Sequence, residues 1–372
     1  MNASPSRELD RVDRELRSFW SAPPAPGEAP KARASTRNII VVAGTAELAA
    51  SFSAVVDDVL QSIPARAIVV GLDPDGSDAL EATTTAVCTP GAGGGPAICS
   101  ERVTLQARGG VCARMASCVS TLCATDVPTT LIWLGRVHAD DLLFAPLARD
   151  ADRVILDSER GSLSDLAHLA RWAAGLPLGE RPGVADLAWT RLAPWQELCA
   201  RMFDEPRLRD LAARVTRVGI SQASAIGAPL APEGALLLAW LATRLRWKTT
   251  AFGGKLRLTR LDDGIVRPHL RAETGMALPL GSLLSVDIEA SADGVSLAGA
   301  IRREPGESDA ATWRLEVRSE GDSRRIEQRV RLRASELAPL LERTLHRPAH
   351  DHALVDSVAW ADGLFGEEVA CR

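Results

Sequence analysis

Asn38-Ile-Ile-Val-Val-Ala-Gly-Thr45 decides how the first half of the chain folds. Two Ile and two Val in a row read as a strand buried on both faces, the habit of parallel sheets. Gly44-Thr45 then turns the chain into a helix from about Ala46 to Ser62, and Ala67–Gly71 is a second apolar strand. The same alternation continues downstream. Strands are predicted over Ile98–Arg108, Thr129–Leu134 and Arg153–Asp157, with helical stretches over Gly109–Ala124, Asp140–Ala148 and Ser164–Ala174. Strands alternating with helices predict an open α/β sheet, mixed or parallel, flanked by helices in the Rossmann-like manner. The Gly-, Thr- and Pro-rich stretch Asp73–Pro96 interrupts the pattern.

From Thr249 the grammar changes. Short runs at 255–261, 265–270, 283–290, 294–302, 312–318 and 324–332 are separated by Asp-Gly, Gly or Pro. Many of them alternate, which predicts an antiparallel meander. Closing helices are predicted over 335–345 and 350–361. The expected organisation is a helix and Pro-rich linker over 1–36, an α/β domain over 37–248, and an antiparallel β-rich α+β domain over 249–372. With 372 residues, two cores are the natural prior. Leu9, Val12, Leu16, Phe19 and Trp20 give the first helix an apolar side that docks either at home, the simpler reading, or on a partner.

Bulk properties narrow the functional classes. Hydrophobic residues make up 46% and charged residues 24%, with a net charge of −5, which does not suggest nucleic-acid binding, since that usually needs a basic surface. No window of about 18 uncharged apolar residues suggests a membrane span. The charged start lacks a signal core, so the cytoplasm is the expected compartment. Tyr is absent, which removes Ser-Tyr-Lys reductase chemistry.

Asp186-Leu-Ala-Trp-Thr-Arg-Leu-Ala-Pro-Trp-Gln-Glu-Leu-Cys-Ala-Arg-Met-Phe-Asp204 is the most specific segment. Pro194 is read as opening a helix, because the first helical N–H is unpaired anyway. From there Trp195, Leu198, Cys199, Met202 and Phe203 recur at helical spacing, so Trp195 reads as core. Trp189 and Arg191 precede that helix and are free to face outward. Trp and Arg are enriched at interface hot spots, so Trp189, Arg191 and Glu197 are the candidate partner contacts.

This run resembles the central signature of the glucose-6-phosphate dehydrogenase assembly protein family, OpcA. The flanking blocks Ile98–Leu105, Pro128–Trp133 and Ala151–Ser158 resemble the same family in the same order. The likeness weakens in the second half. Family members carry a His-Pro-Cys-Arg-like run where this chain reads Ile63-Pro-Ala-Arg66, keeping only Pro64 and Arg66. The resemblance implies a protein that is not itself an enzyme, that binds glucose-6-phosphate dehydrogenase and that favours its active oligomer. It also implies redox responsiveness in some members, for which Cys371 is the exposed thiol to test.

Catalytic and cofactor motifs are weak beside that resemblance. The loop Gly91-Ala-Gly-Gly-Gly-Pro96 leads into a strand, whereas a phosphate loop opens a helix. Neither G-x-G-x-x-G nor G-x-x-x-x-G-K-[ST] occurs, so no cofactor is expected. His346, His350 and His352 are interrupted by Pro348, and no Cys-x-x-Cys exists, so no metal is expected. The seven Cys read mostly as small buried hydrophobes, although Cys88 and Cys99 flank the glycine loop and could meet across it. The rival reading is a Rossmann-like enzyme or sensor for a phosphorylated or nucleotide-linked sugar. Its ligand would meet Thr45, Asp157 and Ser158 at strand C-termini.

Overall fold

The computed structural model describes residues 5–23, 30–91, 93, 95–138, 140–225, 231–252, 255–275, 278–307, 309–332 and 336–365. Cys371 and parts of the glycine loop lie outside the described residues. The first elements are α1 (Pro5–Ser21), β1 (Lys31–Arg33), β2 (Asn38–Ala43), α2 (Ala46–Ser62), β3 (Arg66–Asp73), β4 (Ala79–Thr89) and β5 (Ala97–Arg108). Then come α3 (Met115–Leu122), β6 (Thr129–Leu134), α4 (Phe144–Arg149), β7 (Arg153–Leu156), α5 (Leu163–Gly175), β8 (Gly183–Asp186) and α6 (Leu187–Arg201). They are followed by β9 (Val215–Ala223), α7 (Pro232–Arg244), β10 (Lys248–Phe252), β11 (Lys255–Thr259), β12 (Ile265–Glu273) and β13 (Leu283–Ala292). The chain continues through β14 (Val295–Arg303), β15 (Ala310–Ser319), β16 (Asp322–Arg331), α8 (Leu337–His346) and α9 (His352–Phe365).

Two compact units result. One holds Met1–Gly161, Asp165–Leu187 and Glu336–Asp351; the other holds Ser162–Ser164, Ala188–Ser335 and His352–Arg372. The main division thus falls at Leu187/Ala188, where the sequence suggested about 248. The reason is β9, which is central in the second sheet and draws α6 and α7 with it.

The first unit is an eight-stranded sheet ordered β1-β5-β3-β2-β6-β7-β8, with β4 added on β5. Every pair is parallel except β4–β5. Ile39 and Val41 of β2 face Phe52, Val56, Val59 and Leu60 of α2. Leu340, Leu341 and Leu345 of α8 complete that layer. On the other face, Trp133, Phe144 and Trp172 pack edge-on and tilted, with ring centroids 5.1 and 5.5 Å apart. Helix α8 comes from the far end of the sequence. Arg153 Nη1 donates to the Thr344 carbonyl at 2.8 Å, and a methyl group on Gly183 would lie 2.0 Å from the Ala349 carbonyl oxygen.

The stretch read as a Gly-, Thr- and Pro-rich interruption contains β4, opposed to β5 along its full length. Thr83, Thr84, Thr85 and Val87 suit a strand, but the turn residues around them hid the signal. Cys88 stands opposite Cys99 in this hairpin and is joined to it by a disulfide. These two are therefore not free thiols, unlike the buried Cys118 and Cys199.

Helix α1 docks at home, with Val12 and Leu16 buried. Its end is held by Glu101, a fully buried carboxylate on β5. Trp20 Nε1 and the guanidinium groups of Arg33 and Arg66 all donate to it, Arg33 at 3.0 Å and Arg66 Nε at 2.7 Å. One carboxylate thus ties α1, β1, β3 and β5 together. Gln in its place keeps one acceptor and loses the charge. Glu101→Gln is expected to cost about 1–3 kcal/mol and to speed amide hydrogen exchange across Pro5–Ser21 more than elsewhere. Uniform exchange across the unit would show that Glu101 does not hold α1.

The second unit is an eight-stranded sheet ordered β10-β11-β12-β9-β13-β14-β15-β16. It is the expected antiparallel meander with one change: β9 is inserted and pairs parallel to β12. One face is covered by helices. Trp313 Nε1 donates to the Leu198 carbonyl of α6 at 3.0 Å, and Met202, just after α6, lies so close to Gly299 that a methyl there would meet its Sδ at 2.2 Å. The other face is polar, and its ion pairs run from strand to strand.

Candidate interaction site and family

Helix α6 runs from Leu187 to Arg201 with Pro194 inside it, rather than opening at Pro194. An internal Pro forfeits a backbone bond and crowds the preceding turn, at a cost of about 3 kcal/mol. Leu187, Ala188, Trp189 and Leu192 are all buried in that earlier part. Burying a large apolar side chain is worth about 1.5–3 kcal/mol, so two of them offset the proline. Trp189 is only 3% exposed and does not face outward. Trp195 is core, as its spacing predicted, together with Leu198, Cys199 and Met202. Burial pushes the Cys199 thiol up to about 12, so it stays protonated and unreactive.

Arg191 does not present a free guanidinium. Its Nε donates to Glu233 Oε1 at 2.7 Å, with both side chains largely withdrawn from water. Glu233 sits in the first turn of α7, where the helix dipole favours a carboxylate. Burial pushes its pKa up, while Arg191, Arg303 and the Leu283 N–H pull it back. Arg303 in turn donates from Nε to the Leu283 carbonyl at 2.8 Å and lies 5.5 Å over the Trp195 ring. Burial lowers the Arg303 pKa from the ordinary guanidinium value, opposed by Glu233. Two guanidinium groups thus flank one buried carboxylate and join α6, α7 and the strands β13 and β14. Of the three residues singled out as partner contacts, Glu197 alone is exposed.

At the C-terminal edge of the first sheet, Thr45, Asp157 and Ser158 each carry a local structural duty. Thr45 caps α2, accepting from Leu48 N at 3.2 Å. Ser158 donates its N–H to Asp186 Oδ1 at 2.8 Å and its hydroxyl to Asp186 Oδ2 at 2.9 Å. Asp157 pairs with Arg160 at 3.4 Å, and that guanidinium lies 5.6 Å over Phe52. A phosphate at the α2 N-terminus would find one orphan N–H already capped and Glu47 in the first turn repelling it.

The sequence did not reveal Glu233, Arg303 or Glu101. Glu233 reads as an ordinary acidic first-turn residue, and nothing local points to Arg191, forty-two positions earlier. Among the described residues no group of three or more His, Cys, Asp or Glu could hold a metal ion, and no helix is long and apolar enough to cross a membrane.

The family model described as the glucose-6-phosphate dehydrogenase subunit N-terminal domain matches residues 56–173, and the one described as its C-terminal domain matches 182–358. The chain belongs to the OpcA family of glucose-6-phosphate dehydrogenase assembly proteins. As an OpcA family member it is 25% identical over 328 residues to a protein provisionally named OxPP cycle protein OpcA from Synechocystis sp.. That match covers 82% of this chain and 65% of the relative. A protein of the same provisional name from Nostoc punctiforme is 34% identical over 170 residues, covering 44% of this chain and 34% of the relative. The chain therefore spans less than two thirds of the length of either relative. Its fold is similar to that of glucose-6-phosphate 1-dehydrogenase from Mycobacterium avium, with a TM-score of 0.53, 14% identity and coverage of 91% and 92% of the two chains. The two OpcA matches meet between residues 173 and 182, close to the Leu187/Ala188 division.

Proposed function

We propose that this protein is a non-catalytic assembly factor that binds glucose-6-phosphate dehydrogenase and favours its active oligomer, in support of the oxidative pentose phosphate pathway. The observation that carries the reading is the pair of family matches, both described as parts of a glucose-6-phosphate dehydrogenase subunit. The structural duties of Thr45, Asp157 and Ser158 are consistent with it, since a helper needs no acid, base or nucleophile. The mechanism is differential affinity: a partner that prefers one oligomer shifts the equilibrium by that preference, and a tenfold preference is worth about 1.4 kcal/mol. Contact with the dehydrogenase is assigned to the exposed side of α6 that carries Glu197, while Trp189 and Arg191 shape that helix from within.

The test is one preparation of this chain mixed with the dehydrogenase of the same organism. Co-elution and a raised apparent substrate affinity are expected. Glu197→Lys should weaken the complex about tenfold and leave the melting temperature unchanged. No complex and no kinetic effect would sink the proposal. Turnover of a sugar nucleotide by this chain alone would favour the rival enzyme reading.

A further inference from the structure

The polar face of the second sheet contains a hollow of about 780 Å³. That is within the range of about 300–1,000 Å³ typical of small-molecule sites. Gly219, in the middle of the central strand β9, is one of the residues that line it. Gly219 lies between His269 of β12 and Asp287 of β13. A methyl group there would sit 3.3 Å from the Asp287 Cβ and Oδ2, so any larger residue would push on the Asp287 side chain and narrow the floor. A strand-interior Gly costs stability and often marks a bulge, a bend or a place where a ligand or another backbone comes close.

The next row across the same face is Arg271, Ser221, Ser285 and Arg302. Ser221, almost fully buried, and Ser285 share one hydrogen bond of 2.7 Å between their hydroxyls. Two O–H groups and one bond leave one donor over. Arg302 pairs with Asp287 at 2.5 Å, and Arg217, one row beyond Gly219, pairs with Glu289 at 3.1 Å. Arg271 differs. Among the described residues it makes no ion pair, although Glu273 lies two positions along its own strand. Its Nε donates to His269 Nε2 at 2.7 Å, which leaves both terminal amino groups for another acceptor. A guanidinium fork beside a spare hydroxyl matches an oxyanion. Asp287 and Glu289, with Glu273, Glu304 and Glu307 that also line the hollow, are acceptors suited to hydroxyl groups. Arg271 and Arg302 are three strand spacings apart, about 14 Å at 4.7–4.9 Å each.

We infer that this hollow is a binding site for a hydroxylated oxyanion of sugar-phosphate or sugar-acid size, its anionic end on Arg271 and the Ser221–Ser285 pair and its hydroxyls on Asp287. The inference goes beyond the assembly role and does not depend on it, because the chain alone should bind. Calorimetric titration of the full chain with glucose 6-phosphate, inorganic phosphate and glucose tests it. Glucose 6-phosphate should bind at millimolar concentration or below, phosphate about tenfold more weakly, and glucose not measurably. Arg271→Gln should reduce sugar-phosphate binding at least tenfold with an unchanged melting temperature, and Arg271→Lys should restore part of it. Gly219→Val, if it folds, should abolish binding by filling the floor. Absence of binding, or binding that Arg271→Gln leaves intact, overturns the assignment whether or not the dehydrogenase is a partner.

Discussion

Trp195→Ala unfolds the second unit at markedly lower urea than the native chain, with an expected loss of about 3–5 kcal/mol, the usual cost of deleting a buried aromatic. Trp195 is 2% exposed and lies at the middle of the α6 stripe. It lies beneath the Arg303 guanidinium, so its removal also strips a cation–π partner from a buried charge. Trp195→Phe keeps most of the volume and the ring face and should lose less. Urea unfolding followed by hydrogen exchange in α6 and β14 measures both. A loss below about 1 kcal/mol, the size of a surface effect, would mean that the stripe is not core.

Arg191→Met should cost a similar amount, about 3–5 kcal/mol, because it breaks a buried pair and leaves Glu233 with less compensation. It also gives a pH signature. Glu233 has its pKa raised by burial even with Arg191 in place. A carboxyl group whose folded pKa lies above its unfolded value binds the proton more tightly when folded. Its contribution to stability is fully present below the unfolded pKa and is lost as pH rises through the folded pKa. Without Arg191 the rise is larger, so the gap between variant and native chain should be smallest in mild acid and widen towards neutrality. Thermal melts of both proteins across that range measure the gap. A gap that widens on acidification would contradict the pairing. Arg191→Met with Glu233→Leu should recover part of the loss, since an apolar replacement for both partners leaves no stranded carboxylate.

Periodicity carried most of the fold. The Ile-Val run of β2 and the helix after Thr45 were legible because burial on both sides demands unbroken apolar residues. The strand β4 was not, since its Thr-rich half-buried face lacks both a clean alternation and an apolar run. Pro194 misled for a definite reason. Local chemistry places Pro at a first helical turn, whereas the buried Leu187, Trp189 and Leu192 carry the helix seven residues further back. The polar candidates fared by burial. Glu197 stayed exposed, whereas Arg191 was taken up by an acid 42 positions away.

The sequence by itself determined the α/β-then-β order, the core role of Trp195 and the likeness to the OpcA family, because each rests on local pattern or on a run of adjacent residues. Only the tertiary structure decided that β9 joins the second sheet, that α8 returns to the first, and that Glu101 and Glu233 each gather arginines from distant elements. These depend on which strand edges and charges meet after the chain has crossed over, and no local propensity encodes a partner dozens to hundreds of residues away.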